Sequence, residues 1–136
     1  MKKYLFLLVT VFALNRASAQ TTPTIVIIHF TEDYPSYAAT WAIEDCYHRV
    51  VFFDKENETL RSLVYDRAGY VICRDWKMSS NYPKRISDYY TSVYPNESYA
   101  VWSSIDDSGT QKYYIIRNSE KIWFDRNGKI KNCVVG

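Results

Sequence analysis

Most of the chain consists of short segments that are rich in apolar residues. Turn-forming residues separate these segments. Segments of this kind are typical of β-strands. They predict four strands in each half of the chain, at 39–43, 47–53, 59–65 and 70–74, and then at 99–105, 112–117, 121–124 and 129–134. Because short turns join successive strands, we expect an antiparallel meander in each half.

One segment in each half precedes the strands and differs from them in pattern. In the second half the apolar residues follow the helical period i, i+3, i+4, i+7, at Ile86, Tyr89, Tyr90 and Val93. Pro83 suits the first turn of this helix, and Pro95 ends it. In the first half the run Ile25-Val26-Ile27-Ile28 favours a strand by propensity alone.

The order of landmarks indicates that the two halves repeat one pattern. Tyr34-Pro35 and Tyr94-Pro95 are offset by 60 residues, Trp41 and Trp102 by 61, and the turns that begin at Asp66 and Asp125 by 59. Small drifts in offset are typical of a duplication with short insertions. The repeat therefore predicts a helix over about 24–33, with Val26 and Phe30 in the places of Ile86 and Tyr90.

The predicted fold class is α+β, a tandem repeat of one helix plus a four-stranded antiparallel meander. An apolar sheet face needs a cover, so we expect both helices to pack on one face of the sheet. The predicted units are residues 20–78 and 79–136, which form one compact domain. Each Asp-x-x-Gly sequence, Asp66 to Gly69 and Asp125 to Gly128, predicts a turn between two strands.

The first 19 residues predict a secretory signal peptide. Lys2 and Lys3 precede an apolar run from Tyr4 to Leu14, and Ala17-Ser18-Ala19 supplies the small residues of a cleavage site. The run is too short to span a bilayer. The alternative is an amphipathic helix of the folded domain, but residues 4–14 offer no polar face. We therefore expect an exported protein, periplasmic or extracellular, with no membrane span after cleavage.

Removal of the signal peptide changes the charge of the chain. Three of the 17 basic residues lie in it, Lys2, Lys3 and Arg16, so 14 basic and 15 acidic residues remain. No cluster of Lys and Arg longer than a dipeptide is left. This argues against nucleic acid or an anionic membrane as the partner.

No motif of a known catalytic, cofactor or metal site is present. His29 and His48 lack the spacing of metal ligands, and no G-x-S-x-G or glycine-rich phosphate loop occurs. Paired carboxylates such as Asp106-Asp107 lie in predicted turns, where solvated turn residues are the better account. We therefore expect no enzyme activity, no cofactor and no metal.

Three cysteines remain in an oxidising compartment, Cys46, Cys73 and Cys133. Cys73 and Cys133 end the last predicted strands of their units at nearly equivalent positions, which suggests a disulfide between them. The alternative is three unpaired small hydrophobic residues.

Aromatic residues are the candidates for binding. Trp41 and Trp102 recur in the repeat, so we expect them to pack in the core or between the units. Exposed tyrosines are expected to form a protein-binding face, because tyrosine gives a large contact area at low entropic cost. The candidates are Tyr37, Tyr47, Tyr70, Tyr99 and Tyr113.

The order of motifs resembles the PepSY-like, also called beta-lactamase-inhibitor-like, family of exported bacterial proteins, which is common in Bacteroidetes. The motifs are Tyr34-Pro35, Trp41, Tyr65-Asp66-Arg67-Ala68-Gly69, Tyr94-Pro95, Trp102 and Phe124-Asp125-Arg126-Asn127-Gly128. The resemblance runs from about Pro23 to Cys133 and implies helices on one face of an antiparallel sheet. It also implies that the exposed sheet face binds a partner, as the inhibitor of that name does.

These expectations combine into one functional hypothesis. The chain is predicted to be a non-catalytic exported binding module, protein-binding or inhibitor-like through the exposed sheet face, with another exported protein as its partner. The alternative is a small-ligand or glycan-binding sensor of the periplasm or cell surface, since the same aromatic face could stack on sugar rings.

Overall fold

The computed structural model describes residues 21–131, which form one antiparallel sheet and two helices. The helices are α1 (Thr24–Asp33) and α2 (Lys84–Val93). The strands are β1 (Ala39–Glu44), β2 (Tyr47–Asp54), β3 (Thr59–Tyr65), β4 (Val71–Met78), β5 (Val101–Asp106), β6 (Gln111–Arg117) and β7 (Glu120–Phe124). The α+β class, the antiparallel meander and the helix at 24–33 are therefore confirmed.

The seven strands lie side by side in the order in which they occur along the chain. The two halves join edge to edge, because β4 pairs with β5 from Cys73 opposite Asp106 to Met78 opposite Val101. This pairing extends β4 beyond its predicted end at residue 74. Within residues 21–131 the sheet has seven strands, whereas eight are predicted for the chain. Of the predicted strand 129–134, the described residues 129–131 form one bridge, between Phe124 and Ile130, and residues 132–134 lie outside the described part.

Local sequence explains where both helices begin and end. Pro23 and Pro83 precede them with φ of −58° and −57°, values that the proline ring imposes. Directly after each helix comes a tyrosine that precedes a proline, a position that disfavours helical backbone. The amides of Tyr34 and Tyr94 still donate to the carbonyls of Phe30 and Tyr90, at 2.8 Å each.

Each helix buries two residues against the sheet and forms one apolar cluster. Val26 and Phe30 of α1 pack with Val50, Phe52, Leu63 and Tyr65. Ile86 and Tyr90 of α2 pack with Val101, Tyr113, Ile115 and Phe124. Val93, which the helical period places with Ile86 and Tyr90, is instead 46% exposed because it lies in the last turn of α2.

The two repeated tryptophans lie on opposite faces of the sheet. Trp41 packs edge-on against Phe30 at 5.6 Å, whereas Trp102 stacks on Tyr114 on the other face. Val101, one residue earlier, is the buried apolar residue of this strand. The expectation that Trp41 and Trp102 have equivalent positions is wrong, because a one-residue shift in a strand reverses the face.

The Asp-x-x-Gly turns form as expected. Oδ1 of Asp125 accepts from the amides of Asn127 and Lys129, at 2.9 Å each, and Gly128 has a φ of +81°. This turn also packs on the start of α2, since a Cβ at Gly128 would lie 2.7 Å from Cβ of Pro83. Gly109 has a similar φ of +82°, but a Cβ at that position would have no atom within 4 Å.

Alanine at these two glycines separates backbone strain from crowding. Gly109→Ala is expected to lower the unfolding free energy by about 1–2 kcal/mol, the cost of a left-handed backbone. Gly128→Ala is expected to cost about 1–3 kcal/mol more, because Pro83 must move. Urea unfolding of both variants measures the difference, and equal losses would show that the Gly128 turn does not pack on α2.

Candidate functional site: the open face of the sheet

Both helices lie on the same face of the sheet. Leu63, which contacts the α1 cluster, is opposite Arg74, and Arg74 is opposite Ile105. Residues directly opposite each other in a sheet share a face, and Ile105 shares its face with Val101 of the α2 cluster. We call the other side the open face.

The open face carries alternate residues of all seven strands. Its central members on β2 to β7 are Arg49, Val51, Phe53, Ser62, Val64, Cys73, Asp75, Lys77, Trp102, Ser104, Lys112, Tyr114, Ile116, Lys121 and Trp123. The set contains charged, aromatic and small polar side chains together. It therefore differs in chemistry from the apolar face beneath the helices.

A buried carboxylate lies at the centre of the open face. Asp75 is 1% exposed, and its Oδ2 accepts hydrogen bonds from Nη1 of Arg49 at 2.9 Å and from the hydroxyl of Tyr114 at 2.8 Å. The thiol of Cys73 donates to Oδ1 at 3.2 Å. A buried charge is tolerated when it is paired and hydrogen-bonded in this way.

Small residues make room for this arrangement. Arg49 and Tyr114 lie on β2 and β6, each two strands from Asp75 on β4. Ser62 and Ser104 lie on the intervening strands β3 and β5, opposite Asp75 on either side, and are almost completely buried. Because serine is short, the long side chains reach across it, and Arg49 also donates to the Ser62 hydroxyl at 2.7 Å.

The charges around Asp75 shift the pKa values of its neighbours. Burial lowers the pKa of Arg49, but the attraction of Asp75 and Glu44 outweighs it, so the pKa is raised. Burial, and then the charge of Asp75, raise the pKa of Tyr114 well above its usual range. Arg49 therefore stays charged and Tyr114 stays a hydrogen-bond donor at any physiological pH.

An aromatic row crosses the second half of the open face. Trp102, Tyr114 and Trp123 lie opposite one another on β5, β6 and β7. The rings of Trp102 and Tyr114 are stacked with centroids 6.0 Å apart, and those of Tyr114 and Trp123 are 4.9 Å apart. Both tryptophans are half-buried, so part of each ring is accessible.

A lysine lies over this row. Nζ of Lys121 is 4.7 Å from the ring centroid of Tyr114 and 5.7 Å from that of Trp123, which are cation–π distances. Burial, and then the positive charge of Arg49, lower the pKa of Lys121. We call Asp75 with its hydrogen-bonding partners Arg49, Tyr114 and Cys73 the Asp75 cluster. Because Tyr114 belongs both to this cluster and to the aromatic row, the two are parts of one connected surface.

Exposed apolar residues lie on the same face around this centre. Phe53 and Ile116 are each 50% exposed, and Tyr47 is 44% exposed. Exposed large apolar side chains and partly accessible aromatic rings on one surface are typical of interaction sites.

The predicted binding tyrosines are mostly elsewhere. Tyr113 is 6% exposed beneath α2, because it alternates with Tyr114 and faces the helices. Tyr99 and Tyr37 also pack on the helix side, with ring centroids 4.6 Å from Tyr90 and 5.6 Å from Phe52. Tyr113 is therefore not an exposed residue as expected, and Tyr37 and Tyr99 are half-buried on the helix side rather than on the open face.

The other two predicted tyrosines are exposed. Tyr47 lies on the open face and Tyr70, 69% exposed, lies in the turn between β3 and β4. Sequence reasoning missed Asp75, Arg49 and Tyr114. Strict alternation along β6 from buried Ile115 could have identified Tyr114, whereas no sequence pattern marked Asp75.

The predicted cysteine pair is only partly within the described residues. Sγ of Cys73 lies 3.0 Å from Oγ of Ser104, and burial raises the pKa of its thiol. Cys133 lies outside residues 21–131, so the Cys73–Cys133 disulfide stays a prediction. Cys46 is exposed in the turn between β1 and β2.

The two histidines lie on α1 and β2. Nδ1 of His29 lies 2.7 Å from the carbonyl oxygen of Gly69 and links α1 to a turn. His48 is buried on β2. Within residues 21–131, no group of three or more His, Cys, Asp or Glu side chains is placed to hold a metal ion.

In the same range, neither helix has the length and apolar character needed to cross a membrane.

Comparison with known proteins gives a fold likeness. No protein-family model matches the chain, and no curated protein matches it. A "putative periplasmic" protein from Bacteroides eggerthii has a similar structure, with a TM-score of 0.60 and 13% identity over 82% of this chain and 86% of that chain. A DUF2874 family protein from Bacteroides uniformis has a TM-score of 0.58 and 14% identity, over 81% and 86% of the two chains.

A third structure is a BLIP-like protein from Bacteroides fragilis. Its TM-score is 0.53 at 11% identity, over 87% of this chain and 89% of that chain. At such identities the likeness is one of fold alone. The BLIP-like part of the predicted resemblance therefore agrees with the fold, and the PepSY-like part stays a prediction.

Removal of the central charge should destabilise the protein. Asp75→Asn is expected to lower the unfolding free energy by about 3–5 kcal/mol, because Arg49 is left without its buried counter-charge. Asp88→Asn is the control, since Asp88 forms an exposed pair with Lys84 at 3.1 Å and should cost at most about 0.5 kcal/mol. Similar losses of unfolding free energy in the two variants, measured by urea unfolding, would show that the buried pair contributes no more to stability than the exposed pair.

Two buried tyrosines should respond in opposite ways to loss of the hydroxyl. The Tyr114 hydroxyl donates to Asp75, whereas the Tyr65 hydroxyl has no partner within residues 21–131. We expect Tyr114→Phe to cost about 1–3 kcal/mol, and Tyr65→Phe to be neutral or to stabilise by up to about 1 kcal/mol. Equal destabilisation by the two changes in urea unfolding would contradict this assignment.

Tyr65 also gives a pH dependence. Burial raises the pKa of Tyr65 to about 12, from 10.0. Between these values the folded protein keeps a proton that the unfolded chain loses, so the unfolding free energy falls as the pH rises. Tyr65→Phe should make this fall shallower over that range. An unchanged slope would show that Tyr65 titrates normally.

Proposed function

We propose that the chain is an exported, non-catalytic binding module that recognises another exported protein with its open face. The observation that carries the proposal is the asymmetry of the sheet. Both helices cover one face, and the other face holds a fully paired charge cluster, an aromatic row and exposed apolar residues. The similarity in fold to a BLIP-like protein supports the same interpretation.

The Asp75 cluster would prepare this face for binding rather than contact the partner through charge. Its members are already hydrogen-bonded to one another, so the charges of Asp75 and Arg49 already compensate each other. Such a cluster holds Tyr114 in a fixed position and, through ring contacts with Tyr114, Trp102 and Trp123 as well. A surface that is rigid before binding loses less conformational entropy in the complex.

The contact itself would be made by the aromatic row and the exposed apolar residues. Large aromatic side chains at the centre of an interface usually contribute most of the binding free energy. Phe53 and Ile116 widen the apolar area, and the exposed Lys77, opposite Trp102, adds a positive charge beside the row. A partner surface with apolar side chains and acidic residues would fit this chemistry.

Export and domain organisation belong to the same proposal. The N-terminal 19 residues have the pattern of a signal peptide, and one protein of similar fold carries the description "putative periplasmic". The matching order of helix and strands in 20–78 and 79–136 supports a duplicated unit, one helix with a meander, as the origin of the two halves.

The test is affinity capture with residues 20–136 from the envelope extract of the source bacterium, compared across three forms. The wild type and a helix-side control, Ile28→Ser/Val93→Ser, should enrich the same protein. The open-face variant, Phe53→Ser/Ile116→Ser, should retain at most about a tenth of it, since each lost apolar contact costs more than about 1 kcal/mol. The substituted residues are 45–50% exposed in both variants, so the comparison is matched.

Mass spectrometry would identify the captured protein, and calorimetry with the purified protein would give the affinities. Equal capture by all three forms, loss only in the helix-side control, or no enriched protein would each contradict the proposal. Circular dichroism of both variants shows whether either has lost its fold.

A further inference from the structure

A second candidate site, which is a cleft, lies on the helix side of the sheet, away from the open face. α1 packs on β2 and β3, and α2 packs on β5 to β7. β4 therefore lies between the areas of the sheet on which the two helices pack. At the end of β4 a cleft of about 430 Å³ opens between the β2–β3 turn and the segment that leads into α2. Pockets for small molecules are commonly of this volume and lie between packed units.

Trp76 is the aromatic residue of this cleft. It faces the helix side, because it lies opposite Arg61 of β3. Trp76 is only half-buried and belongs to neither of the two apolar clusters within residues 21–131. Met78 is the one other apolar residue that lines the cleft there. The cleft thus offers an accessible indole without a large apolar surface.

Polar side chains line the rest of the cleft. They include two amides, one carboxylate, one guanidinium and two of the three hydroxyls, from Asn57, Asn81, Glu58, Arg61, Ser79 and Ser80. Together they can both donate and accept hydrogen bonds. This mixture suits a ligand whose groups also donate and accept, which is the property of sugar hydroxyls.

One wall of the cleft is fixed before any ligand binds. Oδ2 of the buried Asp54 accepts from Nδ2 of Asn57 at 2.8 Å and pairs with Nη1 of Arg61 at 3.4 Å. The guanidinium of Arg61 also lies 5.9 Å from the ring centroid of Phe52. Preorganised polar groups of this kind favour affinity because little ordering remains to be done.

The charges argue against an anionic ligand. The positive charge of Arg61 is already balanced by Asp54, and Glu58 adds a negative charge to the rim. Lys77 is the remaining basic residue among those that line the cleft, and it lies on the open face, opposite Trp102. A phosphate or sulfate would need an unpaired basic cluster, and a lipid would need a larger apolar lining.

We propose that this cleft binds a neutral carbohydrate of one or two sugar rings, with one ring stacked on the indole of Trp76. The amides of Asn57 and Asn81 and the carboxylate of Glu58 hydrogen-bond its hydroxyls. Trp76 lies opposite Ser103 on β5, whereas its neighbour Asp75 faces the open face, so the sugar and the protein partner bind on different sides of the sheet.

The test uses residues 20–136 and a panel of pure sugars, namely maltose, cellobiose, xylobiose, mannobiose and diacetylchitobiose, with digalacturonate as the anionic probe. NMR follows the indole N–H signals of the four tryptophans, Trp41, Trp76, Trp102 and Trp123, during each titration. We expect at least one neutral sugar to shift the Trp76 signal at a concentration of about 10 mM or less.

Variants make the assignment specific. Trp76→Ala should weaken binding at least about tenfold, the loss of one stacked ring. Asn81→Gly is a second variant, and it removes one amide side chain from the cleft. Residue 81 has a φ of +64°, which glycine adopts without strain. This variant should therefore weaken sugar binding without lowering the unfolding free energy. Trp123→Phe, on the open face, is the matched control and should leave sugar affinity unchanged.

Several results would overturn the proposal. They are shifts confined to Trp102 and Trp123, binding of digalacturonate alone, no response to any sugar of the panel, or full affinity in both Trp76→Ala and Asn81→Gly. The outcome is distinct from that of the capture experiment, because Phe53→Ser/Ile116→Ser should bind the sugar as the wild type does.

Discussion

The buried carboxylate of Asp75 is the constraint on which the open face depends. A charge that is 1% exposed needs a counter-charge and hydrogen bonds, and Arg49 and Tyr114 supply them from strands on either side. The pairing requires short side chains on the strands between, which Ser62 and Ser104 provide. The cluster therefore joins β2 to β6 across the boundary between the two halves of the chain.

This constraint makes the two faces of the sheet differ in chemistry. The helix-covered face supplies apolar burial through two similar clusters, one for each helix. The open face is held by polar contacts instead, which leaves its aromatic row partly accessible for binding. The cleft at Trp76 follows from the same division, since β4 lies between the areas that α1 and α2 cover. One sheet thus carries two accessible surfaces with different chemistry.

Local chemistry explains which features the sequence could predict. Pro23 and Tyr34-Pro35 mark the bounds of α1, and the repeat correctly outweighed the strand propensity of its isoleucines. The face of each strand was harder to predict, because a shift of one residue exchanges the sides. That shift separated Trp102 from Trp41 and placed Tyr113, rather than Tyr114, among the binding candidates. Asp75 could not be recognised, because its partners are distant in sequence and are brought together only by the fold.

The most direct test of this account is the coupling between the two partners of Asp75. In a double-mutant cycle, Arg49→Lys keeps the charge but loses the guanidinium geometry, and Tyr114→Phe removes the hydroxyl. Urea unfolding of the wild type, both single variants and the double variant gives their interaction free energy. If the open face is one connected cluster, the two effects should differ from additivity by about 1 kcal/mol or more. Effects that add within about 0.3 kcal/mol would show that Arg49 and Tyr114 act independently, and the central cluster would not be the unit described above.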